Sequence, residues 1–562
     1  MPADAADELV LLGRAFELQQ AGRLAEAEAL YAQVLATNPD DPTALVNAGA
    51  VALTRGDLGL AIARLERVVR LAPNNAPARS NLGFALIRAG RDSEALAVLD
   101  RAVALNSNFA QAHNNRGIAL ARLGRTADAI AAFERALQLD PRNAEAALNL
   151  GDQCNNAGDA DRAAAAFERT LAAQPAHADA LTGRAFAQAL RGDLAGAIGA
   201  LETITTNHPA HAPAWQTLGA VRNWAWDHAG AELAFEHALR LAPDQPDAQF
   251  GIASTLLARG DFAAGWRAFE RRPDRGGESG DAFARIPIWD GAPFAGTLVV
   301  HGEQGFGDVV QFARFVAPAR ARVGRIVLLL DGYRASLAPL LASLPGVDEV
   351  VTKPTDLRGS GAIARASILS LPFHLRVGVD DLSASGRYLS PPADRAAAWR
   401  ARIATTAAPR VGLAWSVLAR DAHGFVTRHK SVPVGVFAPV LGAPDISLFT
   451  LQPGPAGDPA AFGANAPRIV DVRAALVDFA DTAALIDMLD LVISADTAVA
   501  HVAGALGKPV WLLDRFNSCW RWRLAAGKSP WYPTMRIFRQ HRFGDWDSVM
   551  RDLADAFARW HA

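Results

Sequence analysis

An α-helical solenoid followed by two Rossmann-like α/β domains is the fold class that this sequence predicts. Three observations carry it. Five columns of residues recur every 34 positions through the first half. Strand-like apolar runs alternate with helical patterns through the second half. A proline-rich break, SPPADR near residue 390, divides that second half in two. The 562 residues leave room for three or four domains, and a chain that is 51% hydrophobic and 20% charged has ample material for their cores.

The repeats come first. Glycine stands at 22, 56, 90, 124, 158, 192 and 260, with Trp226 in the gap, and proline at 39, 73, 141, 175, 209 and 243, with Ser107 in the gap. Small residues form one column (Ala15, Gly49, Gly83, Gly117, Gly151, Ala185, Gly219, Ala253), and alanine forms another from Ala27 to Ala231. A bulky column runs Tyr31, Leu65, Leu99, Phe133, Phe167, Leu201, Phe235, Phe269. Small residues let two helices of a hairpin approach, and bulky ones fill the gap to the next hairpin. Glycine turns the chain between helices and proline ends the second helix. Such units stack into a superhelix with a long concave face. The expected extent is residues 1–272, with a linker over 273–289 that includes most of the polar stretch RPDRGGESGD.

Beyond the linker, the runs LVVHGE, RIVLLL, SILSLP, RVGLAWS, ISLFTLQ, LVISAD and PVWLLD read as strands, and 308–321 and 478–489 as helices between them. This alternation predicts parallel sheets covered on both faces, in domains over 290–392 and 393–562. Ligands of such domains sit at the carboxyl ends of the strands.

Composition narrows the function. A formal charge of −2 argues against a general nucleic-acid or anionic-membrane binder. No apolar run reaches the length of a membrane span, and the acidic start MPADAADELV lacks the pattern of a signal peptide. Cys154 and Cys519 form no CxxC pair, so a cytoplasmic location is the expectation.

Two segments have the context of ligand sites. HGEQGFGDVVQFARF, residues 301–315, follows a strand and opens a helix, but its order G-x-x-G-x-G with no following Lys-Ser/Thr is neither a dinucleotide fingerprint nor a P-loop. In LVISADTAVAHVAGALGKP a strand ends at Asp496 and a helix begins near Thr497. That helix end offers free N–H groups to an anion, with Asp496 or Thr497 as its cap and His501 one turn along. A plain capped helix with an interior histidine fits the same residues.

The 34-residue array resembles the tetratricopeptide repeat, in about eight copies. The segment from Asp496 to His501 resembles the D-T-G-x-x-H donor motif of glycosyltransferase family 9, the heptosyltransferase-like enzymes with the GT-B fold; Ala498 stands where that motif has glycine. Repeats joined to such a domain are similar in layout to O-linked N-acetylglucosamine transferase and to flagellin-modifying transferases. The resemblance implies a metal-independent glycosyltransferase, without cofactor, that moves a sugar from a nucleotide-sugar donor to a protein hydroxyl, with flagellin among the candidate acceptors. It implies donor contacts from Ser416, Lys430, Asp496, Thr497, Ala498 and His501. The insert VLARDAHGFVTRH between Ser416 and Lys430 departs from the family's short spacing. Asp308, in Gly307-Asp308-Val309, takes the place of the catalytic base. His301, Glu303, Gln304, Gly305 and Gly307 then face the sugar or the acceptor; packing at a strand end and turn is the other reading of the first three. A non-catalytic scaffold and a transferase acting on lipid-linked or polysaccharide acceptors are the rival functions.

Asn47, Asn81, Asn115 and Asn149 recur in the same 34-residue register. Helix layers lie about 10 Å apart and an extended peptide advances about 3.3–3.6 Å per residue, so a row of amides would meet a peptide about every third residue. This resembles the asparagine ladder of O-linked N-acetylglucosamine transferase and implies a peptide acceptor threaded toward Asp308. Bracing of individual hairpins is the other reading.

Overall fold

The structure is a computed structural model that describes residues 3–272, 283–357, 362–382, 386–416, 430–524, 527 and 529–561, without the side chains of residues 3–7 and 456. Most of the linker and the insert 417–429 lie outside these residues. The chain divides into two compact units, one built on the residues up to Leu190 and the other on those from Arg191 onward.

Sixteen helices from Ala3–Gln20 to Phe262–Phe269 make the repeat array. Each spacing in the sequence has a contact behind it. A Cβ added to Gly117 would lie 2.5 Å from Phe133, and one added to Gly151 2.6 Å from Phe167, so the small residue of a hairpin's first helix receives the bulky residue of its second. Phe167 also meets the next helix, where a Cβ at Gly183 would lie 2.3 Å from it. Five of the eight second helices begin on aspartate caps, Asp57, Asp159, Asp193, Asp227 and Asp261, each accepting from an N–H three residues on.

The turn glycines adopt φ from +73° to +92°, the left-handed region where a Cβ is disfavoured. Trp226 stands in the same column at φ +65°. Its ring is a platform for Arg523, whose guanidinium lies 4.2 Å from the centroid, with Arg539 at 5.3 Å. Arg523 also donates to the carbonyls of Asn223 and Trp224. The departure from glycine thus serves a contact between the seventh hairpin and the α/β region, both within the second unit.

That unit holds two parallel sheets. Strands β1 (Phe294–His301), β2 (Val323–Leu329), β3 (Glu349–Val351) and β4 (Ile363–Ser367) lie in the order β3-β2-β1-β4. Strands β5 (Arg410–Ala414), β6 (Ser447–Thr450), β7 (Ile469–Val470), β8 (Leu491–Ala495), β9 (Val510–Asp514) and β10 (Met535–Arg539) lie in the order β10-β9-β8-β5-β6-β7. Each order reverses once, between β1 and β4 and between β5 and β8, which opens a crevice at the carboxyl ends of those strands.

Two elements differ from expectation. The run SILSLP is not a strand: β4 ends at Ser367, whose hydroxyl accepts from Leu369 N, and Leu371–Leu375 is helical with Pro372 in its first turn. The helix expected over 308–321 is broken, with Phe306–Phe312 and Val316–Arg320 joined by a 3₁₀ turn.

Candidate functional site

The crevice of the second sheet gathers most of the expected donor residues. β8 is buried throughout and ends at Ala495. The following helix, Ala498–Ala505, is capped by Thr497, whose hydroxyl accepts from Val499 N at 3.2 Å. Asp496 is therefore not the cap. Its carboxylate turns away to Lys430 Nζ at 2.9 Å and to Trp522 Nε1 at 3.2 Å. Burial opposes the charge of Asp496, but Lys430 and His501 outweigh it and hold the carboxyl well below the usual range. At the end of β5, Gln452 clamps Ser416: its Oε1 accepts from Ser416 N at 2.8 Å and from Trp415 N at 2.6 Å, and its amide donates to Ser416 O.

His501 lies below the helix end, 6% exposed. Its Nδ1 is 3.0 Å from Tyr532 Oη and its Nε2 is 3.9 Å from Asp496 Oδ1. Burial is the largest influence on the ring and pushes its pKa down to about 4, so the imidazole is neutral at pH 7.

The stretch 301–315 meets this site from the other sheet. After β1 the left-handed turn falls on Gln304 (φ +58°) and not on a glycine, and Gln304 O accepts from Arg334 Nε at 3.0 Å. Gly305 begins the helix Phe306–Phe312 and donates its N–H to Asp308 Oδ2 at 3.1 Å. Gly307 has a different task. A Cβ there would lie 2.7 Å from His501 Cδ2 and 3.6 Å from Ala498 Cα. This glycine lets the helix after β1 approach the helix after β8, and it brings Asp308 to the His501 side of the crevice. Arg521, in the turn Trp520–Trp522 after β9, donates to Asp308 Oδ1 at 2.5 Å.

Three expectations need correction. Glu303 is 2% exposed, and both its oxygens are occupied by Arg272 (2.9 and 2.6 Å), one of them also by the Ser367 hydroxyl. Burial favours its neutral form, but Arg272 outweighs it and holds the carboxyl below its usual range. Glu303 thus ties β1 to the end of the repeat array and does not face sugar. His301 is 6% exposed, with its ring edge-to-face against Phe283 at 5.3 Å. Two of the four asparagines in the row do not stand free either. Asn115 is 2% exposed and donates to Ser80 Oγ at 3.1 Å, and Asn149 donates to Asn114 Oδ1 at 3.2 Å. Both amides reach the preceding hairpin, and at Gly183 and Gly251, in the same register, a Cβ would lie 2.3 Å from Phe167 and 2.4 Å from Phe235. Asn47 and Asn81 are half-buried.

Sequence reasoning missed Arg521, Trp522, Tyr532 and Gln452. The only local signal was the run of aromatic and basic residues in CWRWR.

Comparison with known proteins matches two kinds of family to separate parts of the chain. Residues 12–76, 52–115, 110–143 and 156–221 match tetratricopeptide-repeat families. Residues 468–540 match glycosyltransferase family 9 (heptosyltransferase), a span that includes Asp496, Thr497, His501 and Arg521 but neither Lys430 nor Asp308. Protein FlbA of Caulobacter vibrioides is 29% identical over 405 residues, which cover 61% of this chain and 66% of that protein, just under two thirds. Among solved structures, a tetratricopeptide repeat protein from Parabacteroides merdae is 18% identical (44% of this chain, 98% of that one, TM-score 0.36). A thermophilic repeat protein of Thermus thermophilus is 27% identical (32% and 98%, TM-score 0.29).

Proposed function

We propose that this chain, which joins tetratricopeptide repeats to a C-terminal heptosyltransferase-like domain, transfers a sugar from a nucleotide-sugar donor to a hydroxyl of a protein. One observation carries the reading: Asp308 from the first sheet and Lys430, Asp496, Thr497 and His501 from the second line one crevice, across the Gly307–His501 contact. The N-terminal end of the helix Ala498–Ala505 and the Lys430 ammonium suit the phosphates of a leaving nucleotide. The bond from the sugar carbon to the phosphate oxygen breaks with its electron pair on that oxygen. The acceptor oxygen forms the new bond, and its proton passes to Asp308. Among the described residues no group of three or more His, Cys, Asp and Glu is placed to hold a metal ion, and the two cations of the crevice suit the charge a metal would otherwise balance. Among the same residues no helix is long and apolar enough to cross a membrane.

The repeats favour a protein acceptor, since stacked hairpins form extended surfaces for other chains. Flagellin is one candidate. The test is to screen UDP, GDP, ADP and CMP for thermal stabilisation, then to assay transfer from the matching sugar nucleotide into protein from the source cell, with and without EDTA. We expect metal-independent labelling of protein, lost by at least about a hundredfold in Asp308→Asn, the scale of general-base catalysis. Nucleotide binding without transfer would favour the scaffold reading. Labelling confined to lipid-linked or polysaccharide material would favour that acceptor class.

A further inference from the structure

Asp308 is not free to take a proton in this structure. Its Oδ2 accepts from Gly305 N at 3.1 Å and its Oδ1 from Arg521 Nη2 at 2.5 Å. A base must come within hydrogen-bonding reach of the hydroxyl proton, and the guanidinium fills one side of this carboxylate. Arg521 is itself incompletely satisfied. Its Nη1 donates to Cys519 Sγ at 3.1 Å, while its Nε is buried with no hydrogen-bond partner among the described residues. Its side chain is 12% exposed, stacked on Trp520 with the guanidinium 4.8 Å from the ring. Burial opposes its charge, yet Cys519 and Asp308 hold it protonated.

The neighbouring residue, Trp522, bonds Asp496. One short turn therefore reaches both carboxylates of the crevice. Lys430 on Asp496 and Arg521 on Asp308 form two cation–carboxylate pairs at the crevice. A diphosphate entering it brings at least two negative charges, and a guanidinium pairs with phosphate through two parallel bonds where Asp308 takes only one of its nitrogens.

We propose that Arg521 is a ligand for the donor diphosphate held in reserve by its pair with Asp308, so that arrival of the donor draws the guanidinium away and frees the base. The proposal rests on the transferase reading and deepens it. No covalent bond changes in this step: one ion pair replaces another. The base is thereby blocked until the donor phosphates are bound.

The test is a double-mutant cycle on the full chain, read by calorimetric titration with UDP, GDP, ADP and inorganic pyrophosphate; pyrophosphate isolates the phosphate contacts from recognition of the base. Asp308→Asn keeps the shape of the competitor and removes its charge, so it should bind the best of these probes on the order of tenfold more tightly, the scale of one charge-assisted hydrogen bond. Arg521→Gln should bind it on the order of tenfold more weakly. In the Arg521→Gln background, Asp308→Asn should change the affinity less than about twofold, within the additivity error of independent sites. Arg521→Lys, which keeps the charge and loses the fork, takes the place of Arg521→Gln in the cycle if the latter does not fold. Unchanged or weaker binding by Asp308→Asn overturns the gate and leaves the transferase reading standing. The same tightening in the absence of Arg521 also overturns it, because simple removal of a negative charge then explains the effect. Failure of the folded wild type to bind any of the four probes overturns the gate, and if CMP fails to bind as well the transferase reading falls with it.

Discussion

His501 is stored as a neutral ring, and this has a cost that pH reveals. Its pKa is about 4 in the folded chain, against an ordinary value of 6.5. Between these values the unfolded chain binds a proton that the native chain does not, so stability rises with pH across the window. The contribution is complete above about pH 6.5 and is lost on acidification toward pH 4; it amounts to about 3 kcal/mol. Denaturant titrations at pH 7 and 5 should show about 2 kcal/mol of this loss, and His501→Gln should remove that part of the slope while lowering stability at both pH values. Lys430 acts at the same scale. Lys430→Ala should weaken donor binding by about 1–3 kcal/mol, measured as the dissociation constant of the sugar nucleotide, because a charge-assisted bond is lost. An unchanged constant would remove Lys430 from the donor site.

Between elements, the decisive contact is the meeting of the helices Phe306–Phe312 and Ala498–Ala505. Gly307 permits it, since a methyl group there would lie 2.7 Å from His501 Cδ2. That ring is pinned by Tyr532 and flanked by Trp522, so it has little room to yield. Gly307→Ala should therefore destabilise the second unit by about 1–3 kcal/mol, the range for overpacking, and lower transfer by more than its effect on donor affinity. Thermal unfolding together with separate kcat and KM measurements checks both halves. Wild-type stability with wild-type kcat would show that the helices do not need this close approach. The asparagine column makes the complementary point. Its regularity is real, but Asn115 and Asn149 spend their amides on the preceding hairpin, so a periodic polar residue need not be a ligand.

For the whole molecule, the division near residue 190 places the last repeat helices in the same compact unit as both sheets. Within it, Arg272 bonds Glu303, Trp266 Nε1 donates to Val377 O at 3.0 Å, and Arg523 grips Asn223 and Trp226. Two unfolding transitions should appear in calorimetry. A nucleoside diphosphate at about a hundred times its dissociation constant should stabilise one of them, that of the second unit, by about 2.7 kcal/mol, while the other stays in place. A single transition, or equal shifts in both, would show that the two units unfold together.

The sequence by itself determined the repeat register, the two parallel α/β sheets and the strand-to-helix turns that carry Asp308 and Asp496. Each of these is a local pattern: a 34-residue spacing, an apolar run followed by a capped helix, a glycine cluster after a strand. Hydrophobic burial and capping act within such segments, so their signal lies in consecutive residues. Even there the run SILSLP misled, because a short apolar stretch looks the same as buried strand or buried helix until Ser367 and Pro372 are seen to start a turn. The tertiary structure alone decided which polar groups are spent. Arg521 reaches Asp308 across 213 positions of chain, Arg272 removes Glu303 from the site, and Gln452 clamps Ser416 from the next strand. These pairings join segments far apart in sequence with no shared period. Their strength comes from burial that exists only once the sheets and repeats have packed.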